Sequence, residues 1–248
     1  DARLALIRKL TAKAFAGEPT GDASFDALGV VASECGLTPA MAEDVIAGFA
    51  LDAEDWRPRT QGDMMRYCYH VAGAVGVMMA VVMGVDPDDT DTLDRANDLG
   101  LAFQLSNIAR DIVEDDAAGR CYLPVEWLVE EDIEPGQHTK PHHREELAEM
   151  AARLVALVEK HDAAARVGAA RLPFRSRWAV LSAARIYGAI GRKVRKRGTE
   201  AWNTRTYVPR WEKAYYGARA FLSAAINREK MPEGGIDWGI KDFRPDAA

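Results

Sequence analysis

Apolar residues recur along this chain every three to four positions, the spacing of one face of an α-helix. The pattern predicts helices over Asp1–Ala16 and Ser24–Cys35, then one opened by Thr38 as N-cap with Pro39 at the first helical position. A long helix is predicted from Thr60 to about Met83, and another from Thr90 or Asp91 through the stretch 97–117. A short helix follows Pro124. Three longer ones cover Arg144–Arg171, Arg175–Arg197 and Val208–Arg228. No segment alternates with period two, no repeat is visible, and no linker separates two cores. The expectation is an all-α, single-domain bundle over residues 1–228, followed by a Gly/Pro-rich surface tail over 229–248.

Composition narrows this picture. About half of the 248 residues are apolar, enough for a real core, and the net charge is −6 with a pI near 5.5. An acidic chain of this kind does not bind nucleic acid non-specifically, so no nucleic-acid partner is expected. Three scattered cysteines, without a CxxC or Cys/His spacing, fit a reducing cytoplasm rather than a disulfide or zinc scaffold. The apolar run 71–85 falls short of the roughly 20 residues that span a bilayer and reads as part of a buried helix. The first residue is Asp, so residue 1 is not expected to be the native start.

The stretch NDLGLAFQLSNIARDIVEDDAAGRCYLP (97–124) carries the chemistry. At about 100° per residue, Gln104, Asn107 and Asp115 all fall within about 40° of Asp111. Gly100 lies on the same line, and Leu101, Leu105 and Ile112 flank it, so the polar row borders the core. Two carboxylates one turn apart repel each other, and either a neighbouring cation or a function offsets that. All four side chains suit a hard cation such as Mg²⁺. A diphosphate facing an aspartate is repelled by about 4 kcal/mol per charge pair at about 4 Å and an effective dielectric near 20. A bridging Mg²⁺ reverses that sign and stabilises the leaving diphosphate. Glu114 and Asp116, about 60° and 140° off the line, are not expected to be ligands.

YCYHVAGAVGVMM (67–79), LGLAFQLSNIARDIVEDDAAGRCYLPVEWL (99–128) and LPFRSRWAVLSAARIYGAIGRKV (172–194) together resemble the squalene/phytoene synthase family, in its bacterial phytoene synthase branch. The likeness runs from about residue 10 to residue 228. It implies an isoprenoid-synthase helical fold around a central cavity. It also implies head-to-head condensation of two geranylgeranyl diphosphates to phytoene through prephytoene diphosphate, with Mg²⁺ or Mn²⁺ and no NADPH. Carried over by position, Asp111 and Asp115 would be the family's second aspartate-rich motif, assisted by Gln104 and Asn107, with Asn107 a further metal ligand. Arg110, Tyr67, Tyr122 and Tyr187 would line the phosphate region or the reaction centre. The family's first DxxxD motif, on an earlier helix, has no match here: Asp22, Asp26, Glu43 and Asp44 sit in a different context, and Asp52, Glu54 and Asp55 follow GFAL, a later family segment. A polypeptide that began at Asp1 would therefore be inactive.

In the helix 60–83, Tyr67, Val71, Ala74 and Met78 share one face, which is either core packing or the wall of a tunnel for a C20 chain. Gly73, Gly76, Ala80 and Gly84 share another, suited to close helix approach. His70 stands where squalene synthases tend to carry Tyr, which favours the phytoene reaction. The basic helix end RKVRKRG (192–198) suits a helix C-terminus; the alternative is contact with diphosphate or an anionic membrane, since substrate and product are lipids. Localisation is then cytoplasmic, with a membrane association at the inner face. The sequence carries no signal of oligomeric state. The alternatives are a squalene or dehydrosqualene synthase acting on farnesyl diphosphate, and a non-catalytic assembly factor. No GxGxxG loop supports use of NADPH.

Overall fold

The computed structural model describes residues 2–54, 56–226, 231 and 235–244. Among these the regular elements are all helical. Helix α1 spans Ala2–Phe15, α2 Ala23–Cys35 and α3 Pro39–Ala53. Asp22 caps α2, and Gly36 ends it in the left-handed conformation that favours glycine (φ 78°). Thr38 caps α3 through the Met41 amide, with Pro39 at the first turn. Thr60 and Asp63 form a reciprocal capping box at the start of α4, Gln61–Cys68.

The long helix predicted from Thr60 is interrupted. A π-helical turn, Tyr69–Gly73, separates α4 from α5, Ala74–Val82. A π turn inserts one residue into the α register, so side chains on either side of it no longer share the face that simple periodicity assigns. By length and composition Gln61–Val82 could cross a membrane, but half of that window is buried inside the fold, as in a core helix.

Helix α6, Thr90–Ala117, is the axis of the bundle. Asp89 caps it, one residue before the expected start, by accepting from the Thr92 amide. It packs against the π turn and α5, against α8 (Arg144–Gly168) and against α9 (Phe174–Arg197). Between α6 and α8 lies the short α7, Val125–Glu130. Helix α10, Arg210–Ile226, lies against α9. The main core joins Met64, Met65, Leu101, Leu105, Leu147, Leu154 and Trp127, all 1% exposed or less. A second cluster gathers Leu37, Met41, Val81, Leu93 and Leu172 at the other end of α6.

The tail differs from expectation. Residues 227–230, 232–234 and 245–248 lie outside the described ones. A last turn, α11 (Ile240–Phe243), packs inward instead of lying on the surface. Phe243 is 4% exposed and stacks on Tyr69 at 4.9 Å. The Ile240 amide donates to Asp94 at 2.9 Å, and the Arg244 Nε donates to Asp44, which also accepts from the Tyr69 hydroxyl at 2.7 Å. Trp238, Ile240 and Phe243 supply the apolar area that a Gly/Pro count does not register.

Candidate active site

Leu101, Leu105 and Ile112 are buried on the inner side of α6, and this sets its polar stripe at the edge of the core. Asp111 is only 16% exposed in its side chain. Arg110 grips it through both guanidinium arms, the Nε at 2.7 Å, and Arg205 reaches it from the loop after α9 at 3.0 Å. That ion pair holds the Arg110 guanidinium above its usual basicity. Asp115, one turn on, makes no hydrogen bond or ion pair with its carboxylate among the described residues. Burial, and then the charge of Asp111, push its carboxyl up to about 6. Of the neighbouring acids set aside in the sequence, Glu114 pairs with Arg205, and Asp116 accepts from the Thr139 hydroxyl at 2.5 Å.

Toward the N-terminus of α6 the same stripe becomes the wall of a cavity of about 500 Å³. Asn107, Gln104 and Gly100 line it, with Tyr187 and Ala183 of α9 facing them. Phe103 and Tyr187 stack at 4.0 Å, fixing the ring at the polar end. From there the lining is apolar to Met83, Ala96 and Leu172, apart from Thr92 and Arg95 at the far end. Gly100 is required by the packing: an added Cβ would stand 2.3 Å from the Ala72 carbonyl oxygen.

Of the tunnel face expected on the helix 60–83, Val71 lines the cavity, whereas Ala74 is buried in the main core and Met78 packs with the second cluster. Ala72, Val75, Gly76, Met79 and Ala80 take their place. The π turn is the cause, because its extra residue rotates everything after Gly73 by about one position. Gly76 fulfils the expected close approach as well, since its Cβ would meet the Ala96 carbonyl oxygen at 2.5 Å.

Tyr67 and Tyr122 meet beside the acidic end. Their rings stack at 4.9 Å, and Trp56 extends the stack at 5.4 Å from Tyr67. Both hydroxyls donate to one oxygen of Asp52, at 3.0 Å from Tyr67 and 3.3 Å from Tyr122. Burial, aided by the nearby carboxylate, keeps the Tyr67 hydroxyl protonated far above its usual range. Arg120 lies beside the Tyr122 hydroxyl and the Asp52 carboxylate, and both raise its basicity. Asp52 is thus a site residue that periodicity did not single out; its signal was the acid at the end of α3 in GFALDAED. His70 instead binds the Asp44 carbonyl through Nδ1 at 2.9 Å, and burial lowers its basicity.

Three cations of the basic helix end 192–198 are engaged internally. Lys193 pairs with Glu212, Arg195 takes Glu159 with both arms, and Arg197 donates to the Thr204 and Glu200 carbonyls.

The donor chemistry suits a divalent cation on one side only. Asp111 and Asp115 offer two hard carboxylates a turn apart, Asn107 adds an amide oxygen, and the Asp115 carboxylate makes no ion pair among the described residues, with Arg120 and Arg110 acting on it only from a distance. No group of three or more His, Cys, Asp or Glu side chains gathers as a complete ion cage among the described residues.

A dehydrosqualene synthase solved with a ligand superposes with a TM-score of 0.83 at 26% identity, over 92% of this chain and 80% of that one. The squalene synthase HpnC of Alicyclobacillus acidocaldarius shares the fold, with a TM-score of 0.71 at 23% identity over 79% of this chain and 74% of that one. The squalene/phytoene synthase family model matches residues 1–212, and the chain belongs to that family. Its relatives include the phytoene synthase of Pseudescherichia vulneris, 47% identical over 85% of this chain, and the 15-cis-phytoene synthase of Pantoea ananas, 46% identical over 83%. A Paracoccus 15-cis-phytoene synthase is 43% identical over 95% of this chain. The chain spans 68%, 66% and 75% of the lengths of these three relatives.

Proposed function

We propose that the protein is a phytoene synthase, a prenyl transferase that joins two geranylgeranyl diphosphates head to head, through prephytoene diphosphate, with release of diphosphate. One observation carries this reading: the stripe Gln104–Asn107–Asp111–Asp115 runs from the wall of an apolar cavity to a pair of carboxylates on a single helix. Identities of 43–47% to relatives named phytoene synthase support it over the squalene-type reactions, whose solved examples are 23–26% identical.

A bound Mg²⁺ or Mn²⁺ supplies positive charge that offsets the diphosphate and stabilises it as a leaving group. Asp111 and Asp115, with Asn107, would hold that ion. Arg110 and Arg205, now spent on Asp111, are placed to share the incoming negative charge. The cavity receives the prenyl tail and keeps water from the carbocation. Tyr187 and Gln104 close its polar end, and the Tyr67–Tyr122 pair presents fixed hydroxyls rather than mobile water. No NADPH is needed. The enzyme acts in the cytoplasm, in peripheral contact with the inner face of a membrane.

The test is incubation of the full-length protein with labelled geranylgeranyl diphosphate, with and without Mg²⁺. Phytoene formed only with metal, and lost in Asp111→Ala or Asp115→Ala with the helical spectrum kept, is the expected result. Normal turnover in either variant overturns the assignment. Efficient use of farnesyl diphosphate with NADPH would favour the squalene reaction.

A further inference from the structure

The outer side of α10 is unlike the rest of this acidic chain. None of its exposed positions carries an acid: they hold Arg210, Lys213, Arg219, alanines, and large apolar or aromatic side chains. Glu212, the acid of that helix, turns inward to Lys193 at 2.7 Å. Trp211, Tyr215, Leu222 and Ile226 recur at helical spacing and are 71%, 51%, 60% and 58% exposed. The start of α9 extends the surface. Phe174 and Trp178, each 41% exposed, meet Phe221 edge-on at 5.3 and 5.5 Å. The next residue, Ala179, is itself exposed and lines the cavity. Across the cavity, Val75 and Met79 of α5 are lining residues that are 42% and 46% exposed.

We infer that α10 and the first turns of α9 form a docking face for an anionic lipid bilayer, beside which the apolar cavity opens. Aromatic and aliphatic side chains on one face with Arg and Lys among them are what an interfacial helix requires. Charge favours this occupant. Arg210, Lys213 and Arg219 are attracted to anionic headgroups even though the whole chain carries −6. A second copy meeting the same face across a two-fold axis would set cations against cations. The role of the face in substrate entry rests on the function proposed above, but the binding itself does not and is measured without turnover.

The test uses the full-length protein and vesicles of phosphatidylcholine alone, or with about 30 mol% phosphatidylglycerol. Flotation with the anionic vesicles, weakened by salt, is expected, together with quenching of tryptophan by lipids brominated in the acyl chains. The double variant Trp211→Glu/Leu222→Glu should keep its circular dichroism and its turnover of detergent-dispersed substrate, and lose about tenfold or more in vesicle partitioning. Equal flotation of parent and variant overturns the proposal, as does absence of binding. So does a Tyr215→Cys thiol that resists labelling before vesicles are added, which would mean that the remainder of the chain covers the face. A dimer split by the double variant assigns the face to a second copy instead. Vesicle binding without any turnover would leave the docking face standing and remove the enzymatic reading.

Discussion

Tyr67 and Tyr122 lie ring on ring at 4.9 Å and donate to the same oxygen of Asp52. One exposed carboxylate at the end of α3 thereby fixes two hydroxyls beside the acidic end of the α6 stripe. Asp52→Asn should keep the fold and cost less than about 1 kcal/mol in stability, while lowering turnover about a hundredfold. In a double-mutant cycle with Tyr67→Phe the losses should fall short of additive. Full additivity in turnover would show that Asp52 does not act through Tyr67.

The raised carboxyl of Asp115 sets a pH dependence of known sign. Its ordinary value is 3.8 and its folded value about 6, so between these the native state holds a proton that the unfolded chain has lost. Stability contributed by this group therefore falls as pH rises from about 4 to about 6 and is level above. Denaturant melts across that range should show this slope in the parent and lose it in Asp115→Asn. An unchanged slope in the variant would assign it to another group.

Divalent metal should act on binding rather than on folding. Mg²⁺ with inorganic diphosphate is expected to raise the Tm of the full-length protein, by an amount that grows with the logarithm of ligand concentration above Kd. Asp111→Asn and Asp115→Asn should abolish the shift, and removal of metal with EDTA should reverse it. The shift should grow as pH rises through about 6, because the ligand form of Asp115 is the deprotonated one.

Gly100→Ala tests the packing at the cavity wall. The added methyl meets the Ala72 carbonyl oxygen and the Gly73 backbone, at 2.3 and 2.6 Å. Neither is a side chain that can turn away, so a loss of about 1–3 kcal/mol is expected in chemical denaturation.

Ala183→Phe should do the opposite. It places bulk in the open hole rather than in packed structure, so Tm should hold while KM for the C20 substrate rises.

The helices, their caps at Thr38 and Thr60, and the placement of Gln104, Asn107, Asp111 and Asp115 on one edge of the core all follow from local rules of period and capping. The parts that escaped those rules depend on contacts distant in sequence. Asp52 joins the site only because α3 brings it to Tyr67 and Tyr122, across 15 and 70 residues of chain. The tail packs inward because Tyr69 and Asp44 receive Phe243 and Arg244. The cavity wall was assigned to Ala74 and Met78 because periodicity assumes four-residue turns throughout, and nothing in YHVAG announces a wider one.

That wider turn takes up one extra residue without disturbing the wall beyond it. Deleting one residue between Tyr69 and Gly73 would restore an unbroken α-helix and leave Val75 and Met79 facing the hole. Straightening the turn with no deletion would instead swing α5 by about 100° and bring Ala74 and Met78 round. The metal stripe on α6 and the tyrosine pair, on the other side of the hinge point, would be left as they are.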